Sequence, residues 1–265
     1  MRVLALDSDV IVFISRVWQT TCTAVRGGDE AFVIDSPVYP DELEALPAVL
    51  EQAGFPIAGL LATHADWDHL LGRLAFAGAS LGCAQSSAAR LSAEPGGAAR
   101  QLRQFDEQHY VERTAPLSLG SLQALPVPGH LSLGSDTELE LHLADGHTAD
   151  GMAIWIAGAA VLVCGDYLSP VEIPMISDGG SLAAYAATLE RLRPLVERAE
   201  TVVPGHGAPL GREQARAILE EDSEYLQALT ADGIDAPLPP SRRSARQRGI
   251  HAENAVRAGA TPPRR

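Results

Sequence analysis

Residues 63–72 read THADWDHLLG. They follow IAGLLAT (57–63), a short apolar run with the length and composition of a buried strand. His64, Asp66, Asp68 and His69 fall within six residues directly past that strand. On a loop, side chains at alternate positions can converge on one point. His64, Asp66 and Asp68 have that spacing, and His69 follows at once. Imidazole and carboxylate are the groups that bind zinc, iron or manganese. Standing alone, the same letters would also fit a polar surface turn.

Three later segments repeat the device. ADGHTADG puts His147 between glycines after the strand-like LELHL. VLVCGDYL puts Asp166 straight after an apolar strand and a glycine. VVPGHG ends another apolar strand at His206, flanked by glycines. Glycine lets the backbone bend sharply at such places. Loops at strand ends, above a rigid sheet, are where sites are usually built.

These four segments, in this order, resemble the metallo-β-lactamase superfold, and within it the binuclear hydrolase branch. That branch reads H-x-H-x-D-H, then His, then Asp, then His. The resemblance runs from about residue 8 to residue 230. It implies an α/β fold, an αββα sandwich of two mixed β-sheets packed face to face with helices outside. It also implies two divalent metal ions, zinc first, with iron or manganese as alternatives. His64 and His147, with Asp66 as third ligand, would hold the first metal. Asp68, His69 and His206 would hold the second, and Asp166 would bridge both. A metal-bridging hydroxide would be the nucleophile, with Asp68 in a catalytic role orienting it. The implied activity is that of a metal-dependent hydrolase of a small ester, thioester, lactone or related substrate. The substrate itself is not implied, because the family spans thioesterases, lactonases, nucleases, sulfatases and oxygen-reducing enzymes, and no substrate-binding residue is assigned.

Position 66 departs from the pattern: it is Asp where hydrolases of this fold carry His. Two divalent ions would bring four positive charges, and Asp66, Asp68, Asp166 and one hydroxide would offset all four. A less positive first metal is a weaker Lewis acid. Oxygen-rich ligation also shifts preference from zinc towards iron or manganese. The alternative is that Asp66 turns away and one metal alone binds firmly. A carboxylate at this place is also similar to the flavodiiron branch, which implies an iron-dependent redox enzyme as the second reading. Only about 35 residues follow residue 230, too few for a flavodoxin-like domain, so such an enzyme would need a separate electron donor. A metal-binding but non-catalytic member of the fold is the third reading.

Composition bounds the partners. The chain has 265 residues and a formal net charge of −14; its 20 basic residues are all Arg. An acidic protein is a poor partner for phosphate backbones, so nucleic acid is not expected and a small-molecule substrate is. No uninterrupted apolar run is long enough to span a bilayer, so no membrane association is expected. Three cysteines, Cys22, Cys83 and Cys164, make no disulfide scaffold and suggest reduced thiols in the cytoplasm. A homodimer is the default expectation for assembly. Residues 241–265 hold seven Arg and one acid, a basic tail that either folds back on the acidic body or stays solvated. The domains expected are 1–235, metallo-β-lactamase-like, and 236–265, a Pro/Arg-rich C-terminal extension with a short helix around 251–257.

Several side chains have two readings. Tyr167, next to Asp166, could donate to substrate or be a half-buried loop residue. His142 lies in a strand pattern and reads as a satisfied sheet residue. His251 could reach the active-site mouth. Cys164, two positions before Asp166, could be a thiolate ligand or a small core residue. Trp67, between two candidate ligands, could wall the pocket or anchor the loop.

Overall fold

The computed structural model describes residues 1–135 and 137–259. One sheet holds seven strands in sequence order: β1 (Arg2–Ala5), β2 (Val10–Ile14), β3 (Thr21–Gly27), β4 (Glu30–Asp35), β5 (Ile57–Ala62), β6 (Ser80–Ala84) and β7 (Leu122–Leu125). Its first four strands are antiparallel, and β4 to β7 run parallel. The second sheet is built from β8 (Gly129–Leu133), β9 (Thr137–Leu143), β10 (Met152–Ile156), β11 (Val161–Val163), β12 (Thr201–Val203) and β13 (Leu210–Gly211). Their spatial order is β13-β12-β11-β10-β9-β8, with β11 and β12 the parallel pair.

Strand side chains alternate between faces, and both sheets use both faces. In β2, Val10, Val12 and Ile14 point to the other sheet, while Phe13 and Ile11 point outward. In β10, Met152, Ile154 and Ile156 point inward, while Ala153 and Trp155 point outward. Leu61, Ile34 and Val25 meet Leu139, Leu141, Val163 and Val203 in the layer between the sheets. Strands buried on both faces read as continuous apolar runs, which is why 57–63 has that appearance.

Helices cover the outer faces. α1 (Pro40–Gln52), α2 (Gly72–Ala75), α3 (Gln85–Ala93) and α4 (Gly97–His109) lie on the first sheet. α5 (Leu182–Arg198), α6 (Arg212–Asp232) and α7 (Ala245–Arg257) lie on the second. Pro47 sits inside α1, and the Ser181 side chain caps α5 by accepting from the Ala184 N–H. The fold is therefore the expected αββα sandwich. β6 and β8 are not evident in the sequence. Gly82 interrupts one, and in β8 only Leu133 is buried, so apolar periodicity is weak in both.

The basic tail folds back over its described residues, 241–259, and 260–265 lie outside them. Arg242 is fully buried and donates to Asp222 at 2.6 Å, to Glu221 at 3.0 Å and to the Glu172 carbonyl at 2.9 Å. α7 is longer than the 251–257 expected, because Ser244 caps it by accepting from the Gln247 N–H. The three cysteines are free and buried. Among the described residues, no helix is long and apolar enough to cross a membrane.

Candidate metal centre

The first sheet's β5 ends at Ala62, and the chain turns through Thr63 and His64 into a one-turn 3-10 helix, Trp67–His69. This turn carries Asp66, Asp68 and His69 to the edge of the sandwich. The second sheet delivers His147 after β9, Asp166 after β11 and His206 after β12. The sheets are stitched together at this edge: the Thr21 N–H donates to the Gly205 carbonyl at 2.7 Å, and the Gly207 N–H to the Gln19 carbonyl at 2.9 Å.

All seven sequence-selected residues converge. His64, Asp66 and His147 form one group of donor atoms within 4.8 Å of one another, and Asp68, His69 and His206 form another. Asp166 lies between them. Its Oδ2 is 3.3 Å from His147 Nε2, 3.3 Å from His206 Nε2 and 3.8 Å from His64 Nε2, and its Oδ1 is 3.2 Å from His69 Nε2. Asp66 turns inward, with Oδ2 3.3 Å from His147 Nε2 and 3.7 Å from His64 Nε2. Asp68 Oδ2 is 3.6 Å from His206 Nε2 and 3.7 Å from His69 Nε2.

The outer contacts fix which nitrogen of each ring faces the centre. His147 Nδ1 donates to the Met175 carbonyl at 2.7 Å, and His69 Nδ1 to Asp35 Oδ2 at 3.0 Å. The Thr63 hydroxyl donates to Asp35, so it accepts from His64 Nδ1 at 3.1 Å. The Thr20 hydroxyl donates to the Val17 carbonyl and so accepts from His206 Nδ1 at 3.3 Å. Each neutral imidazole is thereby held with its Nε2 lone pair aimed inward, as metal-ligating histidines usually are. His64 Nε2, His69 Nε2 and Asp166 Oδ1 are buried and make no hydrogen bond. Buried polar atoms left that way are costly, and a divalent cation would satisfy all three. The residues present fit a divalent-metal site.

The field favours positive charge. Burial pushes the imidazoles down, but Asp66 and Asp166 outweigh it and raise His147 to about 9. Asp166 and Glu172 likewise raise His206 to about 9 against its burial. Burial also opposes the ionised forms of Asp66 and Asp166, yet the surrounding histidines hold both well below the usual carboxylate range. Protons and divalent cations would compete for the same lone pairs.

Glycines make room for this packing. A Cβ on Gly205 would stand 2.1 Å from Asp166 Oδ1, and Gly165 holds φ +58°, which other residues adopt reluctantly.

Several residues at the centre have little signal in the sequence. Asp35 ends an apolar strand, AFVID, and that pattern is the one available clue. Arg90, on α3, donates to Asp66 Oδ1 at 2.7 Å and to Asp150 Oδ1 at 2.8 Å. Of the side chains with two readings, Tyr167 and His251 depart from the substrate-facing one, while Cys164 and His142 are the core and sheet residues expected. The Tyr167 hydroxyl is buried and accepts the His147 backbone N–H at 3.0 Å, so it braces the loop that carries His147. His251 is also buried, bonded to the Tyr225 hydroxyl at 3.0 Å and the Ile234 carbonyl at 2.9 Å, away from the centre. The Cys164 thiol donates to the Tyr167 carbonyl at 3.2 Å, and burial pushes its pKa up, which disfavours a thiolate ligand. His142, on β9, lies 3.3 Å from Glu140. Trp67 has the anchoring role: it packs on the core beside Phe105 and Trp18, with ring centroids 4.9 and 5.8 Å away.

The family model described as the Metallo-beta-lactamase superfamily matches residues 15–206. Among solved structures, a metallo-beta-lactamase family protein from Thermus thermophilus superposes with a TM-score of 0.68 at 21% identity, covering 98% of each chain. A stereoselective inverting sec-alkylsulfatase from Pseudomonas sp. gives a TM-score of 0.73 at 17% identity, over 99% of this chain and 50% of the sulfatase. A metallo-beta-lactamase from Pontibacter korlensis gives 0.59 at 16% identity, over 83% of this chain and 98% of that one. At these identities the likeness is one of fold.

Proposed function

This chain belongs to the metallo-beta-lactamase superfamily, and on that premise we propose that it is a metal-dependent hydrolase of a small ester, thioester, lactone or related substrate. One observation carries the reading: seven donors from four strand ends converge, with the inward nitrogen of every imidazole set by a contact on its other side. The sec-alkylsulfatase among the structural neighbours makes sulfate esters a fourth class to test.

When bound, two divalent ions, zinc by preference, would polarise the scissile group and activate water near neutral pH. His64, Asp66 and His147 would hold one ion, Asp68, His69 and His206 the other, and Asp166 both. Asp68 has a second role in this reading, orienting the attacking water. The Trp18 ring lies beside His206, its centroid 6.4 Å from the imidazole, and is backed by Trp67 and the buried Phe105. In this reading Trp18 would meet the apolar part of a small substrate. The net charge of −14 supports a small molecule over nucleic acid, and the three free thiols support a reducing, cytoplasmic setting.

The test is metal content by elemental mass spectrometry for the wild type and Asp66→Ala, followed by a hydrolysis panel. Zinc or manganese near two per chain, lower in Asp66→Ala, with turnover of one ester class, supports the hydrolase. Asp68→Ala should then lose turnover and keep its fold; a fully active Asp68→Ala protein would refute that role. The inward Asp66 carboxylate also suits iron. Iron in both sites with oxygen consumption would favour the redox reading. Full loading without hydrolysis would leave a non-catalytic member of the fold.

A further inference from the structure

The Asp66 carboxylate is divided between two tasks. Oδ2 faces His147 and His64, while Oδ1 receives the Arg90 guanidinium at 2.7 Å. Arg90 is itself fixed, because its other amino group donates to Asp150 Oδ1 at 2.8 Å. Asp150 is buried, and its second oxygen accepts the Ala65 N–H at 2.9 Å. Both Asp150 oxygens are thus engaged. Of the four carboxylate oxygens around Arg90, Asp66 Oδ2 alone is aimed at the imidazoles.

We propose that Arg90 is a positioning residue that makes Asp66 a substitute for histidine: one donor atom, in one place, with its charge damped. The proposal rests on the metal-site reading above. A free carboxylate beside a divalent ion can bind through both oxygens or rotate away, and it brings a full negative charge. A guanidinium bonded to the far oxygen removes the first two options and offsets part of the third. A neutral His at position 66 would need no such partner. Beside a His and a divalent cation, Arg90 would instead be a like charge short of one of its two carboxylates.

This predicts opposite effects of one change in two backgrounds. Chelator-stripped full-length protein is titrated with Co2+ by equilibrium dialysis, and the binding step that His147→Ala removes marks the first site. Arg90→Gln is chosen because its amide can still donate to Asp150. Arg90→Gln alone and Asp66→His alone should each weaken the first site by about tenfold or more, the usual effect of losing the group that orients a ligand. The double variant Asp66→His/Arg90→Gln should return to within about threefold of wild type. Arg90→Lys, which keeps the charge, should bind better than Arg90→Gln and covers the case in which the glutamine variant does not fold. The second step should be unchanged throughout.

If the two single effects add in the double variant, or if Arg90→Gln and Arg90→Lys both bind as wild type does, Arg90 is an ordinary structural ion pair and the proposal fails alone. If wild-type protein takes up no metal, the metal-site reading fails and takes this proposal with it.

Discussion

Asp35 Oδ2 accepts the His69 Nδ1 hydrogen at 3.0 Å, across 34 residues of sequence, and the same carboxylate accepts the Thr63 N–H and hydroxyl. Thr63 in turn accepts from His64 Nδ1. One buried acid therefore orients a ligand candidate of each metal site. It does so with φ +59°, a left-handed conformation that Asp tolerates better than most residues. Asp35→Ala should weaken metal binding by about 10–100-fold, read by zinc titration. It should also cost the chelated protein about 1–3 kcal/mol, read by thermal melting, since three buried donors lose their acceptor.

Gly205 is the second point of leverage. Its Cβ would stand 2.1 Å from Asp166 Oδ1 and 2.9 Å from the Gly165 carbonyl carbon. Gly205→Ala must displace the acid that faces both groups of imidazoles. The expected result is loss of at least one metal ion per chain and a stability cost of about 1–3 kcal/mol, typical of overpacking. Elemental analysis and a melting curve of the same sample decide it.

The pH dependence of the metal-free and metal-loaded proteins should diverge. His147 and His206 are raised from 6.5 to about 9 in the folded chain. A raised folded pKa contributes stability that is complete below the unfolded value and is lost as pH rises through the folded one. The Tm of chelated protein should therefore fall between pH 6.5 and 9. Metal must displace those protons, so its affinity should rise over the same window. The gap between the two melting temperatures should widen with pH; a constant gap would contradict the shared-lone-pair account.

The buried pair Arg242–Asp222 ties the tail to the body, with both side chains almost wholly excluded from water. Arg242→Met would leave Asp222 as an unpaired buried acid, at a cost of about 3–5 kcal/mol. Asp222→Leu in the Arg242→Met background should recover most of that loss. Denaturant unfolding of the three proteins measures both terms. A loss in the single variant that the second change does not reverse would mean that Arg242 acts through the Ser169 and Glu172 carbonyls it also holds.

The donors of the centre are legible because each carries a local signal. His64, His147, Asp166 and His206 all stand just after a short apolar strand, and three of them touch a glycine in sequence. The two-sided burial of the strands reveals the layered fold for the same reason. Arg90 and Thr20 have no comparable local signal, while Asp35 ends the apolar strand AFVID and Asp150 stands beside Gly151. Arg90 sits in an ordinary helix 24 residues from Asp66 and 60 from Asp150, and neither distance is a period of any element. Tyr167 and His251 mislead for the converse reason. Nearness in sequence to a ligand, or to a chain end, does not say which way a ring points.

Local pattern alone dictates the kind of donor, the order of the donors along the chain and the edge of the sandwich to which they belong. These follow from strand periodicity and from where glycine permits a sharp turn. It takes the folded chain to turn Asp66 inward, to set Arg90 on its other oxygen, and to choose which nitrogen of each imidazole faces the centre. Those choices depend on hydrogen bonds between segments tens to hundreds of residues apart. The bond from Thr20 to His206 spans 186 residues, and it exists because two sheets meet at one edge, a juxtaposition that no local pattern encodes.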